Sequence, residues 1–189
     1  SVNLSAILAK AGKKVLLLEL DLHKPKVGSN LGMNATQGLT NILVGKLPVG
    51  ECVQPTQIEN FSVILSGPPP PNASELVLSK HLRELFEWGR GEFDYVLVDT
   101  PPVGLITDAL LMMRHVDATL FVINTRFANK DHIKNAMETA SASSSKNFGF
   151  ILNGVRMKKS RYYYNTNYGY GYRYAYGYGT GYGYGYGYG

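Results

Sequence analysis

The sequence predicts an α/β domain with a mainly parallel sheet flanked by helices, followed by a disordered tyrosine- and glycine-rich C-terminal tail. Short apolar runs at residues 15–18 and 95–98 are followed at once by acidic residues and lack polar alternation, as buried parallel strands do. Segments with helical spacing separate the apolar runs, which favours strand–helix alternation. The last part of the chain holds almost no aliphatic residue and cannot bury a core.

The elements are predicted in chain order from apolar spacing. The first helix ends at Gly12, and its apolar residues are Leu4, Ile7, Leu8 and Ala11. Apolar runs then predict strands at residues 15–21, 61–65, 94–98, 118–123 and 148–152. Helical spacing predicts two longer helices, at residues 75–88 and 130–141.

Length and composition limit the class of protein. A chain of 189 residues accommodates one domain, predicted at residues 1–157, and a basic, then tyrosine-rich tail at 158–189. The single cysteine, Cys52, excludes an internal disulfide and fits a reducing compartment. No apolar run approaches the roughly 20 residues that a membrane-spanning helix needs. The net charge of +5 does not by itself indicate nucleic acid, and we expect no nucleic-acid partner.

The tail concentrates phenol groups on a flexible glycine backbone. Of the 14 tyrosines in the chain, 13 follow Arg161. They are Tyr162, Tyr163, Tyr164, Tyr168, Tyr170, Tyr172, Tyr174, Tyr176, Tyr178, Tyr182, Tyr184, Tyr186 and Tyr188. A segment of this composition is expected to be disordered and accessible to an enzyme.

Three carboxylates follow predicted strands. Glu19 and Asp21 end the strand at 15–21, and Asp99 follows the strand at 94–98. In parallel sheets, ligands bind beyond the carboxyl ends of the strands. Carboxylates that meet there can hold Mg²⁺, and the VLVDTPP run predicts a Walker B strand with Asp99 facing the metal. The alternative is that Asp99 only caps the next helix.

Four segments together resemble one known family. They are KKVLLLELDLHKP at 13–25, SGPPPPNASELV at 66–77, FDYVLVDTPPVGLITDA at 93–109, and the tyrosine tail. Their order resembles the bacterial protein-tyrosine kinases of capsule and exopolysaccharide assembly, within the deviant-Walker P-loop ATPase group. The Walker-type segments suit several ATPases of that group, whereas GPPPPNASEL and the tyrosines favour the kinases.

The resemblance implies an ATP-dependent, magnesium-dependent tyrosine autokinase that regulates polysaccharide synthesis and export. It implies catalytic roles for Glu19, Asp21 and Asp99, with Asp21 and Asp99 also binding the metal. Pro101, in the turn after Asp99, and Asn153, after the last strand, would contact the nucleotide. The tail tyrosines would be the autophosphorylation sites.

The resemblance also implies partners and a location. A transmembrane polysaccharide co-polymerase or activator, fused upstream or separate, would bind the kinase domain. Copies of the chain would form a ring-like homo-oligomer, and a tyrosine phosphatase would reverse the modification. The expected location is the cytoplasmic, inner face of the bacterial cell membrane.

The sequence departs from the family pattern in three ways. The Walker A phosphate loop would end just before Ser1, so we expect the chain alone to bind nucleotide poorly and to be inactive. Glu19 stands where the family has aspartate, which moves the carboxylate one methylene further out. His23 stands where arginine is common, and a histidine without a catalytic part is the favoured interpretation.

Two other classes of function remain open from the sequence. A partitioning-type deviant-Walker ATPase would explain the Walker strands but not the tail. A non-enzymatic, tyrosine-rich scaffold would explain the tail, because aromatic repeats of low complexity associate with one another.

Overall fold

A computed structural model of the chain describes residues 1–70, 73–102, 113–142 and 147–155. These residues all belong to one compact unit, Ser1–Val155. The described helices are α1 Val2–Lys10, α2 Val27–Leu31, α3 Leu39–Leu43, α4 Val49–Cys52, α5 Ala73–Val77, α6 Lys80–Glu92 and α7 Lys130–Ala142. The strands are β1 Val15–Glu19, β2 Gln54–Pro55, β3 Phe61–Ile64, β4 Tyr95–Asp99, β5 Thr119–Asn124 and β6 Phe148–Asn153, and a 3₁₀ helix covers Met113–His115.

The first sheet has four strands in the order β2-β3-β1-β4. Strand β1 runs parallel to both neighbours, with Val15 opposite Phe61 on one side and Tyr95 on the other. Only the short β2 is antiparallel to its neighbour. All five residues of β1 are buried, so this strand is the centre of the core.

Helices cover both faces of this sheet because successive strand residues point to opposite sides. On one face, Leu16 and Leu18 of β1 pack with α3 and α6. On the other face, Val15 and Leu17 pack with Ala9 of α1 and with the start of α2. The result is a helix–sheet–helix sandwich with β1 in the middle layer.

The second sheet consists of β5 and β6, which are also parallel. One of its faces forms a small cluster in which Phe121 packs with Met113, Ala136 and Phe148. The opposite face carries Leu120 and other apolar side chains that remain exposed. This sheet therefore buries much less apolar surface than the first.

The predicted fold class is confirmed, because the described strands are mainly parallel and helices flank them. The single helix predicted at 75–88 was wrong, since two helices, α5 and α6, occupy that region. Ser79 has extended backbone angles, φ −67° and ψ 152°, and α6 begins anew at Lys80. The short helices α2, α3 and α4 were not predicted.

The predicted apolar stripe of the first helix was only partly right. Leu4 and Ile7 are exposed, whereas Ser5 and Ala9 are fully buried. Small side chains on this face let α1 lie close to β1 and β3. None of the helices that the structure describes is long and apolar enough to span a membrane.

Candidate functional site at the carboxyl edge of the sheet

The carboxyl ends of β1 and β4 lie side by side. Glu19 and Asp99 are direct partners in the parallel register. The backbone N–H of Leu20 donates to the carbonyl oxygen of Asp99 at 2.8 Å, which extends the pairing beyond the strand. Two of the three predicted site acids therefore end neighbouring strands at one edge.

Asp21 lies in the loop that leaves this edge. Its Oδ1 accepts the backbone N–H groups of His23 at 3.3 Å and of Lys24 at 3.0 Å. The residue is partly exposed, and the side chain is held by the turn that follows it. One carboxylate oxygen is thus committed to the loop, and the hydrogen bonds that the structure describes leave Oδ2 available for a ligand.

Glu19 is placed differently from the other two acids. Its side chain is only 1% exposed. Its Oε1 accepts the N–H of Val27 at 2.5 Å, and its Oε2 accepts the N–H of Ser66 at 3.1 Å. The Glu19 carboxylate thus faces the protein interior, with both of its oxygens already bonded, whereas the catalytic role that the resemblance implies for Glu19 needs access to a substrate.

Strand β4 ends at Asp99, which is partly exposed, and the turn after it begins with Thr100, which is exposed. Pro101 is buried and Pro102 is exposed. A buried proline directly after the strand stiffens the backbone that carries the Asp99 carboxylate. The structure therefore gives Pro101 a place next to the acidic edge, beneath the surface.

Asn153 lies at the end of β6, in the second sheet, opposite Asn124. Its carbonyl oxygen accepts the N–H of Thr125 at 2.9 Å and the Thr125 hydroxyl at 3.1 Å. The side chain of Asn153 is exposed. Within the described residues, no hydrogen bond joins Asn153 to the acidic edge. The predicted phosphorylation sites, Tyr162 to Tyr188, lie outside the described residues.

The donor set of this edge fits Mg²⁺ better than a transition metal. Asp21 and Asp99 offer carboxylate oxygens, and Mg²⁺ is usually bound by one or two carboxylates together with water and phosphate oxygens. Across residues 1–70, 73–102, 113–142 and 147–155, no three His, Cys, Asp or Glu side chains cluster as a metal cage. Asp21 and Asp99 are the residues of this edge that could hold such an ion.

Sequence reasoning missed the groups that hold the edge in place. These are the backbone N–H groups of Val27 and Ser66, and a close approach of Gly38 to the segment after β3. A Cβ atom on Gly38 would lie 2.2 Å from the carbonyl oxygen of Leu65. Backbone N–H donors cannot be identified from the pattern of side chains. Gly38 was the one sequence feature that indicated close packing of the backbone here.

The AAA domain family matches residues 1–147 of the chain. The tyrosine-protein kinase wzc of Salmonella typhi is 36% identical over 160 residues, which cover 85% of this chain and 22% of the relative. The tyrosine-protein kinase YwqD of Bacillus subtilis is 35% identical over 163 residues, which cover 86% of this chain and 69% of the relative. The chain therefore spans about a fifth of wzc and about two thirds of YwqD.

Solved structures show the same fold. The kinase domain of the Escherichia coli tyrosine kinase ETK superposes with a TM-score of 0.79 at 32% identity, over 90% of this chain and 65% of that one. The septum site-determining protein MinD of Pyrococcus horikoshii, complexed with Mg-ADP, gives 0.63 at 26% identity, over 79% and 61%. This chain belongs to the AAA domain family and, within it, to the bacterial protein-tyrosine kinases.

Proposed function

We propose that this chain is the catalytic part of a protein-tyrosine kinase that transfers the γ-phosphoryl group of ATP to tyrosines of its own C-terminal segment. The observation that carries the proposal is the pairing of Glu19 with Asp99, which sets the Asp99 carboxylate beside the Asp21 loop. This chain, which carries that edge, aligns with tyrosine-protein kinases over more than four fifths of its own length. The 13 tyrosines after Arg161 supply the acceptors.

Asp21 and Asp99 are the residues that would hold Mg²⁺ together with the phosphates of ATP. The metal, when bound, neutralises charge on the transferred phosphoryl group. The chain's own part would be to position these two residues, Asp99 through the strand pairing and Asp21 through the turn that follows it. We assign nucleotide contacts to Pro101 and Asn153 from the resemblance.

A tyrosine hydroxyl needs a proton acceptor, because its ordinary pKa is about 10. A candidate acceptor must come within about 2.6–3.2 Å of the hydroxyl. Asp21 is more accessible to a substrate hydroxyl than Glu19, since Asp21 is partly exposed and Glu19 is buried. We therefore assign proton acceptance to Oδ2 of Asp21, and Asp21 would then hold the magnesium ion through a bound water and not directly.

The domain division at 157/158, the partners and the location form part of the same proposal. They comprise a transmembrane polysaccharide co-polymerase or activator, a ring of kinase copies, a tyrosine phosphatase and the cytoplasmic face of the membrane. The products of the pathway would be capsule or exopolysaccharide. These assignments are supported by the similarity of the chain to kinases such as wzc, YwqD and CapB.

The test is phosphate transfer to the tail. The chain, extended at its N-terminus with a Walker A phosphate loop, is incubated with Mg-ATP, and phosphotyrosine is mapped by mass spectrometry. We expect label on tail tyrosines, and its loss in Asp99→Ala. The matched control is Asp131→Ala, an exposed acid in the first turn of α7, which should keep the label.

A partitioning-type ATPase is the second candidate, favoured by the structural likeness to MinD. It predicts ATP hydrolysis without any label on the tail. A scaffold predicts neither hydrolysis nor label. Either result would refute the kinase proposal.

A further inference from the structure

The carboxylate of Glu19 connects two segments that flank the acidic edge. Its Oε1 accepts the N–H of Val27, the first residue of α2, at 2.5 Å. Its Oε2 accepts the N–H of Ser66, which follows β3, at 3.1 Å. Both contacts are buried, so each hydrogen bond is protected from competing water.

The contact with Val27 closes the loop that carries Asp21. This loop leaves β1 at Glu19 and returns to the Glu19 side chain eight residues later. Between the two ends, Asp21 Oδ1 accepts the N–H groups of His23 and Lys24. The position of the Asp21 carboxylate is therefore set by the loop, and the ends of the loop are set by Glu19.

The hydrogen bond from Ser66 connects Glu19 to a second segment, the one that follows β3. The carbonyl oxygen of Ser66 accepts the N–H of Thr40 at 3.0 Å, and the carbonyl oxygen of Leu65 accepts the N–H of Leu39 at 2.8 Å. The segment after β3 is thus bonded to Glu19 on one side and to α3 on the other. A single carboxylate joins β1, α2 and this segment.

The longer side chain of glutamate suits this arrangement. An aspartate at the same position would end one methylene closer to the backbone, which shortens its reach to both N–H groups. A glutamine would place an NH₂ group against one of the two N–H donors, because an amide has only one acceptor oxygen. The bridge therefore depends on a carboxylate of this length.

We propose that Glu19 is a positioning residue that holds the Asp21 loop at the carboxyl edge, and not the group that accepts the tyrosine proton. The proposal rests on the proposed kinase function, since it assigns Glu19 a part in that site. The hydrogen bonds of Glu19 to Val27 and Ser66 can be measured without any kinase activity. The positioning role and the kinase function can therefore be tested separately.

The experiment measures amide hydrogen exchange and magnesium dependence in the same extended chain. Glu19→Gln is compared with Glu59→Gln, an exposed glutamate outside the edge. We expect exchange at Val27 and Ser66 to become about tenfold faster in Glu19→Gln, as loss of a buried hydrogen bond predicts. The Mg²⁺ concentration for half-maximal autophosphorylation should rise by about 10- to 100-fold, as for groups that orient metal ligands.

A proton acceptor gives a different result. Its loss would lower the rate at saturating Mg²⁺ by about 10²- to 10⁴-fold, whether or not exchange at Val27 and Ser66 becomes faster. That outcome would overturn the positioning role. Maximal phosphorylation restored at high Mg²⁺, with faster exchange at both amides, would support it.

Glu19→Asp keeps the test decisive if the glutamine variant does not fold. The shorter carboxylate should raise the Mg²⁺ requirement and speed exchange at one or both amides, and unchanged exchange would contradict the proposal. A wild-type protein without any phosphorylation would refute the kinase function. The exchange of Val27 and Ser66 in the variants would then still decide whether Glu19 holds the loop.

Discussion

The two parallel sheets of this chain differ in how their strands are covered. In the first sheet, Val15, Leu16, Leu17 and Leu18 of β1 have no exposed surface at all. In the second sheet, Val122 of β5 is 62% exposed, and β6 is largely exposed as well. Apart from the short antiparallel β2, both sheets nevertheless consist of apolar, parallel strands.

The difference teaches that an apolar strand sequence does not determine burial. Parallel strands are usually covered on both faces, and β1 has helices on each side. Strand β5 has packing partners from the 3₁₀ helix, α7 and β6 on one face. Most of the stability should therefore come from the first sheet, which also carries Glu19 and Asp99.

The largest expected effect is the loss of a β1 core side chain. Leu17→Ala should lower the free energy of unfolding by about 2–5 kcal/mol, because it leaves a cavity among fully buried neighbours. Leu120→Ala, the same change at a half-exposed leucine of β5, should cost less than about 1 kcal/mol. Urea denaturation followed by circular dichroism measures both, and equal losses would contradict the comparison.

The next effect concerns glycines in close contact. Gly38→Ala would place a Cβ atom 2.2 Å from the Leu65 carbonyl oxygen and 2.7 Å from the Gly67 nitrogen. These backbone atoms cannot rotate away, so we expect a loss of about 1–3 kcal/mol.

Gly149→Ala in β6 is the control for Gly38→Ala. Its Cβ atom would meet only the end of the Leu120 side chain, at 3.3 Å. This half-exposed side chain can move, so the change should stay within about 0.5 kcal/mol in the same denaturation assay. A control that loses as much as Gly38→Ala would show that the second sheet is packed as tightly as the first.

A smaller effect is expected at Arg90, which connects the two regions. Arg90 of α6 donates to the carbonyl oxygen of His115 at 2.8 Å and lies 3.5 Å from Asp117, which precedes β5. Arg90→Ala should cost about 1 kcal/mol. Lys134→Ala, which removes an exposed pair with Glu138 on α7, should cost about 0.3–0.5 kcal/mol.

Salt separates these two changes. At about 1 M salt the Debye length is ~3 Å, so the contribution of the Lys134 pair should vanish. The Arg90 bond to a backbone carbonyl should survive. Complete loss of the Arg90 effect at high salt would mean that it is only a surface ion pair.

The smallest expected effect is a pH dependence of the free energy of unfolding that arises at Cys52, in the core beside the first sheet. Burial raises the pKa of the Cys52 thiol above its ordinary value of 9.0, and the nearby Glu51 raises it further. The folded protein therefore holds this proton more tightly than the unfolded chain does. The resulting stability is full below pH 9.0 and is lost as the pH rises through the raised pKa.

Cys52→Ala should remove this dependence. We expect the free energy of unfolding of the wild type to fall more steeply above pH 9.0 than that of the variant. Urea titrations at several alkaline pH values measure the two slopes. Identical slopes would show that the thiol is not held in a buried environment.

Much of the fold was predictable from the sequence, because continuous apolar runs between helical segments predict buried parallel strands. The neighbouring positions of Glu19 and Asp99 followed from the rule that parallel strands end at one edge. The burial of Glu19 did not follow, because its partners are backbone N–H groups of Val27 and Ser66, which carry no sequence signal. The break at Ser79 was also hidden, since the apolar spacing continues across it.

The position of β1 between β3 and β4 has a consequence for folding. Both partners of Val15, Phe61 and Tyr95, lie far downstream in the chain. Pairing of the central strand with its two neighbours thus requires the closure of two long loops. Such distant pairings slow folding. We expect the acidic edge to be among the last parts of the sheet to assemble, long after the local helices have formed.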